Sequence, residues 1–167
     1  HATQLALQVG RDLGFTEEQI SAISIGGPIH DLGKIVVPDE ILRKPGPLTS
    51  DERRSMEEHP VMGAAITAAV TDYDTVVELV RHHHERFDGG GYPGRLKGTE
   101  VSAPTRLFTL ADAYSAMTTD RPYRKGLTAE RAIQEIIDGR GSQFDPDLAA
   151  AFIRRIEQDY KTGEAAA

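Results

Sequence analysis

Residues 82–94 read HHHERFDGGGYPG, so three consecutive histidines are followed at once by a turn rich in glycine. The whole chain contains six histidines, and half of them lie in this stretch. Imidazole is a common ligand of transition metals, and glycine allows the backbone to turn sharply. A packed hydrophobic core requires neither feature. We therefore interpret the stretch as one edge of a metal site that opens onto a loop.

Helical periodicity extends to both sides of this stretch. A helix over residues 75–85, ending in the histidines, is predicted by the apolar residues Val76, Val77, Leu79 and Val80. Residues that commonly cap helix N-termini predict five more helix starts, at Thr16, Thr49, Ser102, Thr128 and Asp145. The helix that begins at Thr16 should run towards residue 33, with a kink or a break at Gly26-Gly27-Pro28. No alternating run is long enough for a strand, so the sequence predicts an all-α fold.

The composition indicates a soluble globular protein with one core. The chain has 167 residues, of which 39% are hydrophobic and 27% are charged, and this length suits a single domain. We expect that domain to cover residues 1–160, followed by a frayed C-terminal tail at 161–167. The sequence contains no apolar stretch long enough to span a bilayer and no pattern typical of a signal peptide. These features fit a cytoplasmic protein.

The net charge and the absence of cysteine limit which partners and which metal ligands the chain can have. A net charge of -7 disfavours a long nucleic acid as a partner. A small anionic substrate fits if bound metal ions supply positive charge locally. The chain has no cysteine, which excludes disulfide bonds and thiolate metal sites. A metal site would therefore use imidazole and carboxylate ligands, which suit Fe, Mn, Zn, Ni or Co.

Each candidate residue has an ordinary structural explanation when it is taken alone. A single histidine on a helix is usually solvated or hydrogen-bonded, and we expect this of His82. The glycines at 89–91 can form a simple turn, because no strand precedes them as it does in a phosphate-binding loop. Arg121 and Arg124 can be solvated loop charges. What favours a functional site is the order in which the candidates occur along the chain.

Seven short motifs follow one another along the chain. They are His1, HDLGK at 30–34, HP at 59–60, HHE at 83–85, DGGGYP at 88–93, ADAYSAM at 111–117 and RPYR at 121–124. In this order the motifs resemble the HD-GYP domain, a branch of the HD phosphohydrolase superfamily. The resemblance covers nearly the whole chain, because it extends to VPDEILRKPGPLT at 37–49 and GSQFDPDLAAAF at 141–152.

The resemblance implies a fold, an activity and a cofactor. The fold is an all-α bundle of about seven helices with a loop that carries the GYP sequence. Members of the family hydrolyse the bacterial second messenger cyclic di-GMP to the linear dinucleotide and often on to GMP. They use two or three divalent metal ions, commonly iron or manganese. Because they often follow a receiver or sensor domain, we expect such a domain upstream of this chain.

The resemblance also assigns roles to individual residues. The positions that match metal ligands are His1, His30, Asp31, His59, His83, His84 and Asp112. Asp31 would bridge two ions, which lower the pKa of a bridging water so that hydroxide forms near neutral pH. Lys34 would act with Asp31 in catalysis, as a positive charge near the scissile phosphate. The dinucleotide would be held by Gly91, Tyr92, Arg121 and Arg124. Glu85 and Asp88 would shape the loop or orient a ligand.

Two other functions stay open at this point. One is hydrolysis of another nucleotide or cyclic dinucleotide, since Ser115 stands where many family members have a second aspartate. The other is a non-catalytic module that senses cyclic di-GMP or docks onto signalling proteins or a second copy of the chain. The chain keeps both the HD and the GYP residues, which degenerate members usually lose. The sequence therefore favours the phosphodiesterase.

Overall fold

The chain folds into a bundle of α-helices. The computed structural model describes residues 1–120 and 125–162, and in these two ranges the regular elements are helices only. The α-helices are α1 (Ala2–Asp12), α2 (Glu17–Ile29), α3 (Asp39–Leu42), α4 (Ser50–Glu57), α5 (His59–Ala68), α6 (Asp74–His82), α7 (Ala103–Thr118), α8 (Ala129–Asp138) and α9 (Pro146–Thr162). Two short 3-10 helices span Leu32–Val36 and Gly98–Glu100. The predicted all-α fold class is confirmed; the described residues form nine α-helices where about seven were expected, and α3 is a single turn.

The core lies where α1, α2, α6 and α7 pack together with α8 and α9. Phe108 of α7 is fully buried and belongs to one apolar cluster with Leu5 of α1, Ile23 of α2 and Leu79 of α6. Burying a side chain of this size contributes about 1.5–3 kcal/mol. The ring of Phe108 also meets His30 edge to face, with ring centroids 5.1 Å apart. The core therefore supports one of the predicted metal ligands directly.

Four of the five predicted helix starts are capped as their sequences imply. The side-chain hydroxyl accepts a hydrogen bond from the backbone N–H three residues later at Thr16, Thr49 and Thr128. Asp145 Oδ1 accepts from the N–H groups of residues 147 and 148 and so caps α9. Ser102 precedes α7, but its hydroxyl donates to the carboxylate of Glu78 instead of capping the helix. Ser102 therefore ties α7 to α6.

Helix α2 contradicts the kink or break predicted at Gly26-Gly27-Pro28. The helix runs unbroken through these residues and ends at Ile29 rather than near residue 33. The glycines allow close packing, because a Cβ at Gly27 would lie 2.6 Å from Thr3 Oγ1, and one at Gly26 would lie 3.0 Å from the Leu79 side chain. Pro28 removes only one N–H from the last turn, and the close approach of α1 and α6 to α2 outweighs that loss.

One other helix end differs from its predicted position, and the last described helix extends into the predicted tail. Helix α6 ends at His82 instead of residue 85, because the N–H of Glu85 donates to the His82 carbonyl in a tighter turn. Helix α9 continues to Thr162, two residues past the expected end of the domain at residue 160. Residues 163–167, the rest of the predicted tail, lie outside the described residues. None of the described helices is both long enough and apolar enough to cross a membrane.

The 3-10 helix Leu32–Val36 lies against the start of α5 through direct backbone contact. A Cβ at Gly33 would lie 1.9 Å from the carbonyl oxygen of His59 and 2.5 Å from the backbone nitrogen of Gly63. Only glycine fits at this contact, since any side chain would push the two segments apart. The contact places Asp31, two residues before Gly33, beside His59.

Replacing Gly33 by alanine should separate these segments and destabilise the fold. Overpacking a well-packed site typically costs about 1–3 kcal/mol, and so short a contact should place Gly33→Ala near the upper end. Urea unfolding measures the loss. Gly14→Ala is the control, because Gly14 has a φ of +72° but nothing lies within 4 Å of its Cβ position. Backbone strain alone should cost about 1 kcal/mol there. Wild-type stability in Gly33→Ala would contradict the proposed backbone contact.

Candidate metal centre

Four of the predicted metal ligands meet in one group. Each contributes one ligand atom that lies within 4.8 Å of the other three, and the members are Asp31, His59, His83 and His84. All four lie at helix ends, because Asp31 follows α2, His59 opens α5 and the remaining two follow α6. The side chains of His59 and His83 are buried. Burying polar rings is costly unless their nitrogen atoms find partners.

Three predicted histidine ligands are oriented by the backbone. In each ring, Nδ1 lies 2.7–2.8 Å from the carbonyl oxygen of the residue three positions earlier, as seen for His30, His59 and His83. A carbonyl oxygen can only accept a hydrogen bond, so Nδ1 must carry the proton and donate it. In the neutral ring, Nε2 then keeps its lone pair and has no proton. All three rings therefore present a nitrogen that can bind a metal ion.

The lone pairs of two of these rings meet at Asp31. The Nε2 atoms of His59 and His83 are 3.3 Å apart, and they lie 3.4 Å and 3.8 Å from Asp31 Oδ1. Because neither Nε2 atom carries a proton in the neutral rings, no hydrogen bond can join them. Asp31 Oδ1 is buried and has no hydrogen-bond partner among the described residues. Three electron-rich atoms at this spacing require a cation to stabilise them.

The spacing of these atoms fits a divalent transition metal. At a metal–nitrogen distance of about 2.1 Å, two ligands of a tetrahedral or octahedral ion lie about 3.0–3.4 Å apart. The 3.3 Å separation between His59 Nε2 and His83 Nε2 and the 3.4 Å between His59 Nε2 and Asp31 Oδ1 fall within this range, whereas His83 Nε2 and Asp31 Oδ1 lie farther apart, at 3.8 Å. Imidazole and carboxylate ligands without thiolate also suit such an ion. The residues present therefore fit a divalent metal ion.

The second carboxylate oxygen of Asp31 faces a different set of groups. Oδ2 lies 3.5 Å from His30 Nε2 and 2.6 Å from Lys34 Nζ. His30 Nε2 in turn lies 3.8 Å from Oδ1 of Asp112, which α7 supplies. The two oxygens of Asp31 therefore face two different sets of side chains, one at the four-residue group and one at His30 and Lys34. A carboxylate shared between two cations needs this arrangement.

Burial controls the protonation of the cluster. Burial, with repulsion from neighbouring rings, lowers the pKa of His83 to about 2 and the pKa of His84 to about 4. Burial raises the pKa of Asp31, but the ammonium group of Lys34, 2.6 Å from its Oδ2, helps to hold that pKa well below its usual range. Near neutral pH, Asp31 is thus charged while His83 and His84 are neutral. These are the forms in which both side chains bind metals.

Three histidines lie outside the four-residue group, namely His1, His30 and His82. His82, which we did not expect to be a ligand, has its Nδ1 atom 3.4 Å from Oε1 of Glu85. His1, which was predicted to be a ligand, is exposed at the start of α1. It lines a cavity of about 690 Å³ together with Tyr114 and Tyr160. A ligand role for His1 therefore stays a prediction.

The predicted substrate loop packs on the metal-binding cluster. The ring of Tyr92 stacks on the ring of His84, with centroids 4.9 Å apart and an interplanar angle of 26°. Gly91 is buried against the backbone of residues 84–86, where a Cβ would lie 2.4 Å from the nitrogen of Arg86. Gly91 thus contacts the segment that follows α6, and its contact with the substrate stays a prediction. Two other predicted substrate contacts lie outside the described residues, namely Arg121 and Arg124.

Sequence reasoning missed several groups that support the ligands. The Thr109 hydroxyl donates to the carbonyl oxygen of His83 at 2.9 Å, so α7 holds the backbone of this ligand. Gly33 and Gly63 bring the chain around Asp31 against α5. Gly33 belongs to the HDLGK motif, but its position in the sequence does not reveal which backbone it contacts. Thr109 carries no recognisable signal in the sequence.

Comparison with known proteins identifies relatives of this chain. The model of a family described as HD domain matches residues 1–148. The cyclic di-GMP phosphodiesterase response regulator RpfG of Xanthomonas campestris pv. campestris (strain 8004) is 37% identical over 148 residues, which are 87% of this chain and 39% of that protein. The 3'3'-cGAMP-specific phosphodiesterase 1 of Vibrio cholerae serotype O1 is 32% identical over 95% of this chain and 37% of that protein. The resemblance noted in the sequence is confirmed.

A solved structure shares the fold. The crystal structure of a cyclic GMP-AMP specific phosphodiesterase from V. cholerae, V-cGAP3, superposes with a TM-score of 0.78. The superposition covers 99% of this chain and 45% of that one, at 16% sequence identity. At this identity the likeness concerns the fold alone. The chain spans about two fifths of the length of the curated relatives it matches.

Substituting His82 and His83 one at a time should show which of these adjacent histidines binds a metal ion. His83→Ala removes one of the converging Nε2 atoms and should lower the affinity for Mn²⁺ at least about tenfold. His82→Ala is the matched control and should keep the wild-type affinity, because His82 does not belong to the four-residue group. Equilibrium dialysis with elemental analysis measures both. An equal loss in the two variants would show that the wrong histidines had been assigned to the centre.

Proposed function

The chain belongs to the HD domain family, and on that basis we propose that it is a metal-dependent phosphodiesterase that hydrolyses cyclic di-GMP. The products would be the linear dinucleotide and, after a second hydrolysis, GMP. The relatives named as cyclic di-GMP phosphodiesterases support this activity, although the chain spans only part of their length. The metal centre around Asp31 supplies the chemistry that such a reaction needs.

The convergence of groups on Asp31 Oδ1 carries the proposal. This buried oxygen has no hydrogen-bond partner among the described residues and lies beside the Nε2 atoms of His59 and His83. Without a cation, the three atoms repel one another and lack the hydration they would have in water. The fold maintains this costly arrangement, and a cation-dependent activity explains why.

We assign the predicted ligands to two sides of Asp31. Oδ1 faces the ligands His59, His83 and His84. Oδ2 faces His30, which also approaches Asp112. When bound, two divalent cations would activate water and neutralise charge on the phosphate. Iron or manganese suits these ligands. His1 would be a further ligand of these two ions or of a third ion.

Lys34 would act on the phosphate rather than on a metal ion. Its ammonium group has three donors and no lone pair, so it cannot be a ligand. The ion pair with Asp31, at 2.6 Å, holds Nζ at the edge of the cluster. The side chain is 37% exposed, so it can reach a substrate from there. We propose that Lys34 donates a hydrogen bond to a phosphate oxygen or to the leaving oxygen.

The substrate would be held by the loop that follows the cluster and by the arginines beyond α7. Tyr92 stands on His84 and would contact the dinucleotide beside the scissile phosphate. The guanidinium groups of Arg121 and Arg124 would form paired hydrogen bonds with the second phosphate or a guanine edge. Gly91 would contribute to the same site because it allows the loop to pack closely on the backbone of residues 84–86.

A second candidate substrate is 3'3'-cGAMP. A V. cholerae relative that is 32% identical over 95% of this chain is named as specific for that dinucleotide. It shares the phosphodiester groups of cyclic di-GMP and differs in one base. Ser115 is a residue through which specificity could differ, because it lies three positions after Asp112 on α7.

The remaining expectations concern the full-length protein. One relative is named as a response regulator, which supports the expectation of a receiver or sensor domain upstream. Signalling proteins or a second copy of the chain are the protein partners to test. A cytoplasmic location would follow from hydrolysis of an intracellular messenger. A module that only senses cyclic di-GMP would bind it without turnover.

Purified protein loaded with Mn²⁺ or Fe²⁺ should hydrolyse cyclic di-GMP, and faster than it hydrolyses 3'3'-cGAMP. Chromatography of the products measures both rates. Asp31→Asn keeps the size of the side chain but removes the charge, and should abolish turnover together with metal binding. Binding of cyclic di-GMP without turnover by metal-loaded protein would favour the sensing module. Turnover of 3'3'-cGAMP alone would replace the proposed substrate.

Lys34→Ala should lose most of its turnover while keeping its metal ions. Removing one preorganised positive charge typically costs about 3 kcal/mol of transition-state stabilisation, or roughly a hundredfold in kcat. Lys161→Ala, at the exposed end of α9, is the control and should behave as wild type. Steady-state kinetics with parallel metal analysis measures the effect. A wild-type kcat in Lys34→Ala would exclude the lysine from catalysis.

A further inference from the structure

His84 differs from the other histidines of the cluster in what orients its ring. His30, His59 and His83 each donate Nδ1–H to a backbone carbonyl. Among the described residues, the ring of His84 makes no such bond, and its contacts are with other rings. The flattest of these contacts is the stack on Tyr92, at 4.9 Å and 26°. A ligand without a hydrogen-bonded partner keeps its orientation only if packing supplies it.

Tyr92 is itself held from both sides. On one side, its backbone N–H donates to the carbonyl oxygen of His84 at 3.3 Å. On the other side, the carboxylate of Glu85 accepts from the backbone N–H of Gly94 at 2.6 Å and of Leu96 at 3.2 Å. The loop is therefore held at Tyr92 by the carbonyl of His84 and at Gly94 and Leu96 by the carboxylate of Glu85.

The burial of Glu85 shows that its carboxylate serves the loop. The side chain is only 1% exposed, and a buried charge is costly unless hydrogen bonds compensate it. Both oxygens are used, because Oε1 accepts from Gly94 and also lies 3.4 Å from His82 Nδ1, while Oε2 accepts from Leu96. Hydrogen bonds from backbone N–H groups to a charged acceptor are among the strong ones.

We propose that Glu85 is a positioning residue: through the loop at 91–96 it holds the Tyr92 ring on His84 and so orients the fourth member of the metal-binding group. The inference rests on the proposed metal centre. It gives Tyr92 a second role besides substrate contact, as the group that replaces a backbone carbonyl for His84. It also predicts that loss of the carboxylate weakens metal binding although Glu85 touches no metal ion.

The test measures the affinity for Mn²⁺ alone, by electron paramagnetic resonance of the free ion, in five proteins. They are the wild type, Tyr92→Phe, Tyr92→Ala, Glu85→Gln and the double variant Glu85→Gln/Tyr92→Ala. Tyr92→Phe keeps the stacked ring and should bind as wild type does. Tyr92→Ala and Glu85→Gln should each bind about tenfold more weakly. The double variant should bind no more weakly than Tyr92→Ala, because both changes remove the same support.

A control and three possible outcomes make the result decisive. Glu100→Gln alters a carboxylate that accepts from the N–H of Lys97 at 2.7 Å on the exposed side of the same segment, and should keep wild-type affinity. Wild-type affinity in Tyr92→Ala would overturn the proposal even if Glu85→Gln failed to fold. Losses that multiply in the double variant would overturn it as well. A wild-type protein that bound no Mn²⁺ would overturn the metal centre itself, and this inference with it.

Discussion

The hydrogen bonds from His30, His59 and His83 to backbone carbonyls determine what the site can do. Each bond fixes the proton on Nδ1 and leaves the Nε2 lone pair facing inward. Each carbonyl belongs to the residue three positions earlier, so the turn of chain before each histidine sets the direction of its ring. The Nε2 atoms then lie 3.4–3.8 Å from the oxygens of Asp31, with His59 and His83 at Oδ1 and His30 at Oδ2.

The helices bring these turns together by close backbone approach. Glycines at 26 and 27 allow α1, α6 and α7 to approach the end of α2, which precedes the HD pair. Gly33 allows the following 3-10 helix to contact α5 where His59 begins it. The Thr109 hydroxyl fixes the carbonyl of His83 from α7. The cluster therefore depends on close backbone approach and on residues that are not themselves predicted metal ligands, such as Gly33 and Thr109.

The sequence predicted the helices and the candidate ligands better than it predicted the contacts that hold those ligands in place. Capping residues such as Thr16 and Thr49 are local signals, and they placed helix starts correctly. The break predicted at Gly26-Gly27-Pro28 is wrong, because local rules favour a break there while packing against α1 and α6 favours a helix. The distances around Asp31 depend on chain segments that are far apart in sequence. No local pattern encodes them, and the stacking of Tyr92 on His84 could be seen only in the folded chain.

The most direct test of this account is anomalous diffraction from crystals of the protein grown with Mn²⁺. The account predicts a peak at coordination distance from His59 Nε2, His83 Nε2 and Asp31 Oδ1. It predicts a second peak that shares Asp31 through Oδ2 and is bound by His30 and Asp112. Data with no peak at Asp31, or with a single peak bound only through His30 and Asp112, would contradict it.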